Sequence, residues 1–433
     1  MSPRRTSSPA DAVALVQPTD TFAVGLGPAH PVGLLHALGE RDDWVDLQMF
    51  GALLTDLYTV LTQPGVHFRS GFFGPAERFL RDSGADIQYV PADFRRFGPI
   101  VRTLSPRVMA TAAAGPDAEG YCSLSLHAGA TVEELHRCGA DPHRLLMVEH
   151  SPHYPRTFGL LPDHPHRLHV DEIDVLVETD AAPVDLADPT PTAADEAIAD
   201  HALRYISDGA TLQTGIGAIP SLIAGRLVDK PGGSYGVHSE MFTTGLMHLH
   251  RAGKVTNDHK GEFDGYSVTT FAAGTPELYA WLDGNADVCF LPVEVVNDSR
   301  TIASNRNFVS INGAVAIDMF GQVAADTIGG RQHSGVGGHE DFVAGAGLEL
   351  DDRSLLCLRS TTSTSGGLAS RIVPSLAPGM LVTTPRHLVD VVITEFGAAE
   401  LEGRTVRERA EALTAIAHPD FRDDLRAAIA TWS

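Results

Sequence analysis

Three stretches of this sequence combine glycine-rich backbone with groups able to attack a carbonyl or hold negative charge. They are Gln213-Thr214-Gly215-Ile216-Gly217-Ala218-Ile219-Pro220, Gly236-Val237-His238-Ser239-Glu240-Met241-Phe242, and Ser334-Gly335-Val336-Gly337-Gly338-His339-Glu340-Asp341-Phe342. A carboxylate between clusters of backbone N–H donors is equipped for nucleophilic attack on an acyl carbonyl, because the donors hold the oxyanion that forms. Glu240 is the candidate nucleophile; the competing reading is a solvated residue past a strand end. Gly215-Ile216-Gly217 fits either phosphate and oxyanion donors or a tight strand-to-helix turn. It lacks the third glycine of a dinucleotide fingerprint. Gly335 to Gly338 fits a backbone brought close to a ligand, or a flexible loop. Asn297, in Val295-Val296-Asn297-Asp298, offers a further donor or a plain turn.

Other chemistries find less support. The 20 histidines include a cluster at 150, 153, 164, 166 and 169, but these lie among prolines without regular spacing and no H-E-x-x-H occurs. No metal site is expected. No G-x-S-x-G elbow points to Ser/His/Asp hydrolysis. Cys122, Cys138, Cys289 and Cys357 form no C-x-x-C and read as reduced thiols.

The elements that must position these residues alternate. Thr21-Phe22-Ala23-Val24 reads as a buried strand running into Gly25-Leu26-Gly27-Pro28, then a helix from Val32 closed by Gly39, then a strand at Val45 to Phe50. That is the strand–helix–strand order of a parallel α/β sheet. Strands are also expected at Ala85–Val90, Arg107–Ala112, Arg144–Glu149 and Ile173–Glu178. The Pro/Asp/Ala-rich run around 183–191 reads as a linker. Beyond it, Thr192 caps a helix and Ala210–Thr214 forms the next strand. At 433 residues two domains are expected: a disordered tail over 1–20, an N-terminal α/β domain over 21–182, and a C-terminal α/β domain over 192–433 carrying the nucleophile.

The two halves echo each other, which points to an internal duplication. Gly25-Leu26-Gly27 matches Gly215-Ile216-Gly217, and Val45 to Phe50 aligns with Val237 to Phe242. The first glycine precedes Gln48 by 23 residues and Glu240 by 25. On this alignment Gln48 stands where Glu240 stands, and only Glu240 can ionise.

A net charge of −23 argues against nucleic acid or an anionic membrane as partner. No apolar run approaches a membrane span, and no apolar core follows Arg4-Arg5, so a soluble, cytoplasmic protein is expected.

The three glycine-rich stretches together resemble the acetyl-CoA hydrolase/transferase family, especially its 4-hydroxybutyrate CoA-transferases. Supporting stretches are Ser310-Ile311-Asn312, Asp318-Met319-Phe320-Gly321-Gln322-Val323, Ser370-Arg371-Ile372-Val373-Pro374 and Val392-Ile393-Thr394-Glu395-Phe396-Gly397. The resemblance implies two similar CoA-transferase-type open α/β domains, and a glutamate, here Glu240, that forms a covalent thioester with coenzyme A. It implies coenzyme A contacts at Gly217, Ala218, Ile219, Pro220, Ser221, Gly337 and Gly338. Ile216, Asn297 and Gly338 are the implied contacts to the thioester oxygen. The implied partners are acyl-CoA and small carboxylates, in a homodimer or homotetramer. The implied reaction is CoA transfer between an acyl-CoA and a carboxylate such as 4-hydroxybutyrate. Acyl-CoA hydrolysis through the same intermediate is the alternative, and a non-catalytic CoA-binding regulator the third reading. Thr243-Thr244-Gly245-Leu246 and Glu149 to Thr157 depart from the family pattern and bear on acyl specificity.

Overall fold

The computed structural model describes residues 4–5, 8–127, 129 and 131–431. Its described residues form two compact units: one comprises residues up to 186 together with 268–296, the other 187–267 together with 297–433.

The first unit is built on an eight-stranded sheet. Its strands are β1 (Arg4–Arg5), β2 (Thr21–Leu26), β3 (Leu47–Ala52), β4 (Val66–Ser70), β5 (Ile87–Tyr89), β6 (Val108–Ala113), β7 (Leu145–His150) and β8 (Val175–Glu178). They lie in the order β1-β8-β7-β6-β2-β3-β4-β5, and every neighbouring pair is parallel. Strands covered on both faces read as continuous apolar runs rather than alternating ones. In β2, five of six residues are buried, and in β6 all six. The core beneath them gathers Phe22, Val24, Leu34, Leu38, Met49 and Phe68.

Two expectations about this unit change. The tail predicted to be disordered over 1–20 contains α1 (Pro9–Val13), capped by the Ser8 hydroxyl, which accepts from Asp11 N at 3.2 Å. Ala12, Val13 and Val16 are buried in the core, and that burial outweighs the local Pro/Ser composition. Residues 1–3 and 6–7 of that expected tail lie outside the described residues. Residues 268–296, expected in the C-terminal domain, belong to the first unit instead. Their backbone bonds explain this: Ala272 N donates to Leu126 O at 2.9 Å, Gly129 N to Thr270 O at 3.2 Å, and Phe290 N to Phe158 O at 2.8 Å.

The second unit has a six-stranded sheet of β9 (Thr211–Thr214), β10 (Gly236–Val237), β11 (Phe308–Gly313), β12 (Arg353–Cys357), β13 (Val391–Thr394) and β14 (Gly397–Glu400), in the order β10-β9-β11-β12-β13-β14. It is parallel except for the antiparallel edge pair β13–β14. Strand β9 comes first in the chain and has later strands on both sides. Its carboxyl end is therefore the topological switch point, where ligands of open α/β sheets bind. Gly215-Ile216-Gly217 occupies that position.

Each unit contains a strand–helix–strand step beside its switch point, β2–α2 (Val32–Gly39)–β3 in the first and β9–α3 (Ala218–Asp229)–β10 in the second. The strand register nevertheless overturns the match of Gln48 with Glu240. Thr21, four residues before Gly25, faces Gln48, whereas Thr211, four residues before Gly215, faces Gly236. Gln48 thus stands near the start of β3, its amide donating to Asp46 Oδ1, while Glu240 lies beyond the carboxyl end of β10. Similar letters around the two residues concealed a four-residue offset along the strands.

Candidate active site

The loop carrying Glu240 is anchored by backbone and side-chain bonds to the middle of the sheet. His238 N donates to Leu212 O at 3.1 Å and Val237 N to Asn257 Oδ1 at 2.9 Å, so the chain stays paired past β10. The Ser239 hydroxyl donates to Thr214 O at 3.1 Å and accepts from Thr214 N at 3.3 Å. This ties the residue before the candidate nucleophile to the last residue of β9. The imidazole of His238 packs among Phe263, Phe308 and Phe342. Glu240 is thereby set on a stiff support at the strand ends.

The third glycine-rich stretch comes to the same place. His333 N and Ser334 N both donate to Asp326 O, at 2.8 and 3.0 Å, and the chain then enters α5 (His339–Ala346) with Gly338 as its N-cap, after α4 (Thr244–Arg251) earlier in the unit. A Cβ built on Gly338 would overlap Glu240 Oε2 and lie 2.6 Å from Asn297 Nδ2. Only glycine lets the backbone approach the carboxylate this closely.

Asn297 completes the arrangement. It is fully buried, and its Nδ2 donates to Glu240 Oε2 at 2.7 Å and to Asp341 Oδ2 at 3.1 Å. Burial pushes the Glu240 carboxyl up to about 8; the Asn297 bond opposes the shift and the Asp341 charge adds to it. The residue as a whole is half-buried, so water still reaches part of it. An ionised Glu240 is a carboxylate with little solvation to lose before it attacks.

The predicted coenzyme A contacts divide. Ile216, Gly217, Ala218, Ile219 and Pro220 line a cleft of about 270 Å³ at the start of α3, bounded also by Asn312 and Arg371. Gly217 takes φ +120°, which L side chains rarely adopt, and it is the N-cap of α3. Pro220 lies in the first helical turn, where its missing N–H costs nothing. Neither Glu240 nor Ser221 is among the residues lining this cleft; the Ser221 hydroxyl donates to Asp188 Oδ2 at 2.6 Å. Gly337, at φ +59°, precedes Gly338 in the loop against Glu240. Glu240, Asn297 and Gly338 are therefore brought into contact, and Ile216 to Pro220 form a neighbouring wall of the same unit's strand ends.

Asp341 was not among the residues expected at the site. Its signal in the sequence was an acid three residues after Gly338, which reads equally as a first-turn helix residue favoured by the helix dipole. Among the described residues no group of three or more His, Cys, Asp or Glu could hold a metal ion, and no helix is long and apolar enough to cross a membrane.

Fold and site together define an α/β protein with a glutamate set beyond the strand ends at a sheet's switch point, packed against a glycine-rich helix start. The acetyl-CoA hydrolase/transferase C-terminal domain matches residues 274–429. The 4-hydroxybutyrate coenzyme A transferase of Clostridium kluyveri is 36% identical over 411 residues, covering 93% of this chain and 92% of that protein. The succinyl-CoA:cyclohexane-1-carboxylate CoA transferase of Geobacter metallireducens is 33% identical over 427 residues, covering 98% and 94%. Among solved structures, RipA from Yersinia pestis superimposes with a TM-score of 0.88 at 31% identity, covering 98% of this chain and 96% of its own. The chain belongs to the acetyl-CoA hydrolase/transferase family.

Proposed function

We propose that this protein transfers coenzyme A between a short-chain acyl-CoA, such as acetyl-CoA, and a small carboxylate, such as 4-hydroxybutyrate, through a thioester on Glu240. The contact of Glu240 with Asn297 and Gly338 carries the reading, supported by relatives named as CoA-transferases. A Glu240 oxygen attacks the thioester carbonyl, the C–S bond breaks, and CoA leaves as thiolate from a mixed anhydride. The thiolate then attacks Glu240 Cδ. The anhydride C–O bond breaks, the acyl group departs as a carboxylate, and Glu240 carries CoA. A second carboxylate reverses these steps, giving ping-pong kinetics.

Each attack builds charge on a carbonyl oxygen. The Asn297 amide, already 2.7 Å from Glu240 Oε2, is placed to donate to that oxygen, and such a donor is worth about 3–4 kcal/mol in the transition state. The glycine-lined cleft beside α3 supplies a channel for the pantetheine arm, whose remote binding energy holds the thiolate near Glu240. The similar strand–helix–strand steps of the two units fit descent from one duplicated α/β module, with the reactive site kept in the second.

Isotope exchange tests this reading. Labelled acetate should enter acetyl-CoA with no other acceptor present, and initial-rate plots with 4-hydroxybutyrate should be parallel lines. Steady release of free CoA without exchange would instead make water the acceptor and the protein a hydrolase.

A further inference from the structure

Asn297 stands between two acids, Glu240 and Asp341, and both accept from the same nitrogen. Their oxygens are no further apart than the sum of those two bonds. Asp341 is 2% exposed and Asn297 fully buried, so little water screens the pair. The Asn297 Oδ1 is buried and accepts no hydrogen bond among the described residues. Two carboxylates can both be satisfied by an asparagine only through its NH2 group; the flipped amide would set oxygen against oxygen.

We propose that Asp341 is a positioning residue with two effects: it holds the Asn297 amide nitrogen toward Glu240, and its negative charge favours the CoA-loaded form of Glu240 over the free carboxylate. This rests on the glutamyl thioester proposed above. Loading forms the Cδ–S bond and breaks the acyl C–S bond. One Glu240 oxygen and the negative charge leave with the acyl carboxylate. When unloaded Glu240 is ionised, Asp341 faces a second anion across one amide; once Glu240 is loaded it faces a neutral thioester. Loading relieves this like-charge repulsion without a proton being taken up.

Asp341 lies in the first turn of α5, where the helix dipole favours an anion. Titratable groups on the adjoining elements are His238, packed among Phe263, Phe308 and Phe342, and His339 and Glu340 on the same turn of α5. To these are added Arg300 in the helix Ser299–Ala303, with Asp298 at its N-cap, and Arg353 at the start of β12, which donates to both Asp390 carboxylate oxygens at 2.9 Å. His339 bonds Thr384 Oγ1 at 2.8 Å, and burial pushes its pKa down to about 4, so it is neutral at assay pH. The charge of Asp341 is among the causes that raise the Glu240 carboxyl.

The test uses the full chain and the variant Asp341→Asn, which keeps one acceptor oxygen for Asn297 while it removes the charge and puts an NH2 group in place of the second oxygen. Intact mass measured at a fixed acetyl-CoA:acetate ratio gives the loaded fraction, and the pH dependence of kcat/KM gives the acidic limb. The loading equilibrium constant should fall about tenfold and the acidic limb should move down by about one pH unit. Asp341→Glu should stay near wild type in both. Asp341→Ala, which also frees the amide, should lose about a further tenfold in kcat/KM beyond Asp341→Asn. If Asp341→Asn does not fold, Asp341→Ser serves for the same two readouts. An unchanged loading constant and limb, with only a lower Tm or kcat, would overturn the electrostatic role, and equal rates in the Asn and Ala variants would overturn the positioning role. Absence of any adduct in the wild type would instead overturn the glutamyl thioester itself.

Discussion

Glu149 and Glu240 are both carboxylates drawn out of water near the carboxyl ends of parallel strands, one in each unit, yet their surroundings differ. Glu149, toward the end of β7, accepts from Gly33 N at 3.0 Å, Leu34 N at 2.8 Å and the Thr179 hydroxyl at 2.9 Å. It closes the open N–H groups at the start of α2, and these bonds oppose the upward pull of burial on its carboxyl. Around Glu240 the amide of Asn297 is set against the charge of Asp341, and burial drives the carboxyl to about 8. Burial is common to both. A carboxylate answered by backbone donors is structural; one held under-stabilised beside a like charge is ready for chemistry that removes its charge.

This contrast can be broken most directly by neutralising each acid in turn. Glu240→Gln should lower transfer at least about a thousandfold, the scale of removing a covalent nucleophile. Its stability gain over wild type should be larger at pH 8 than at pH 5 by roughly 3–4 kcal/mol. The sign follows from the raised carboxyl: between its unfolded value near 4.5 and about 8 the folded state holds more protons than the unfolded state, so this group's contribution to stability falls as pH rises through that window. Thermal melts across pH 5–9 on both forms check it. Glu149→Gln should do the reverse, losing about 1–3 kcal/mol of stability by setting an NH2 group against N–H donors, with kcat within about threefold of wild type.

Asn297→Ala should cost about 10²–10³ in kcat through the lost donor. Its kcat/KM profile should shift to higher pH, because the Asn297 bond holds the Glu240 carboxyl down. In the wild type, kcat/KM should climb about tenfold per pH unit below the pKa and level off near 8. Glycines sharpen the contrast with the smallest changes. Gly338→Ala forces Glu240 and Asn297 apart and should cost about a hundredfold in kcat with the fold intact. Gly33→Ala meets Glu149 Oε1 and Thr179 Cγ2 at 3.1 Å, a contact that shifts of a few tenths of an ångström relieve. It should change stability by under about 1 kcal/mol and leave turnover alone.

Glu240 and Gly338 stood out in the residue pattern because their stretches carry glycines that mark a backbone brought close to something. The pattern left Asn297 as a donor or a plain turn, and only the family resemblance singled it out; the structure brings the three into contact. The parallel sheets were legible too, since their buried strands read as unbroken apolar runs such as Phe22-Ala23-Val24. Asp341 was not, because a first-turn helix acid has an ordinary explanation that only its bond to Asn297 removes. Gln48 misled for the opposite reason: matching neighbours suggested equivalence, but pairing register depends on which strand residues face each other. The helix at Pro9–Val13 was hidden because its stability comes from long-range burial of Ala12 and Val13.

The central claim is that Glu240 itself carries coenzyme A. Incubating the full chain with acetyl-CoA and no acceptor, then mapping peptides by mass spectrometry, tests it most directly. A CoA adduct should appear on the peptide containing Glu240, vanish on adding acetate, and be absent from Glu240→Ala. No adduct in the wild type, or one that persists in the variant, would contradict it.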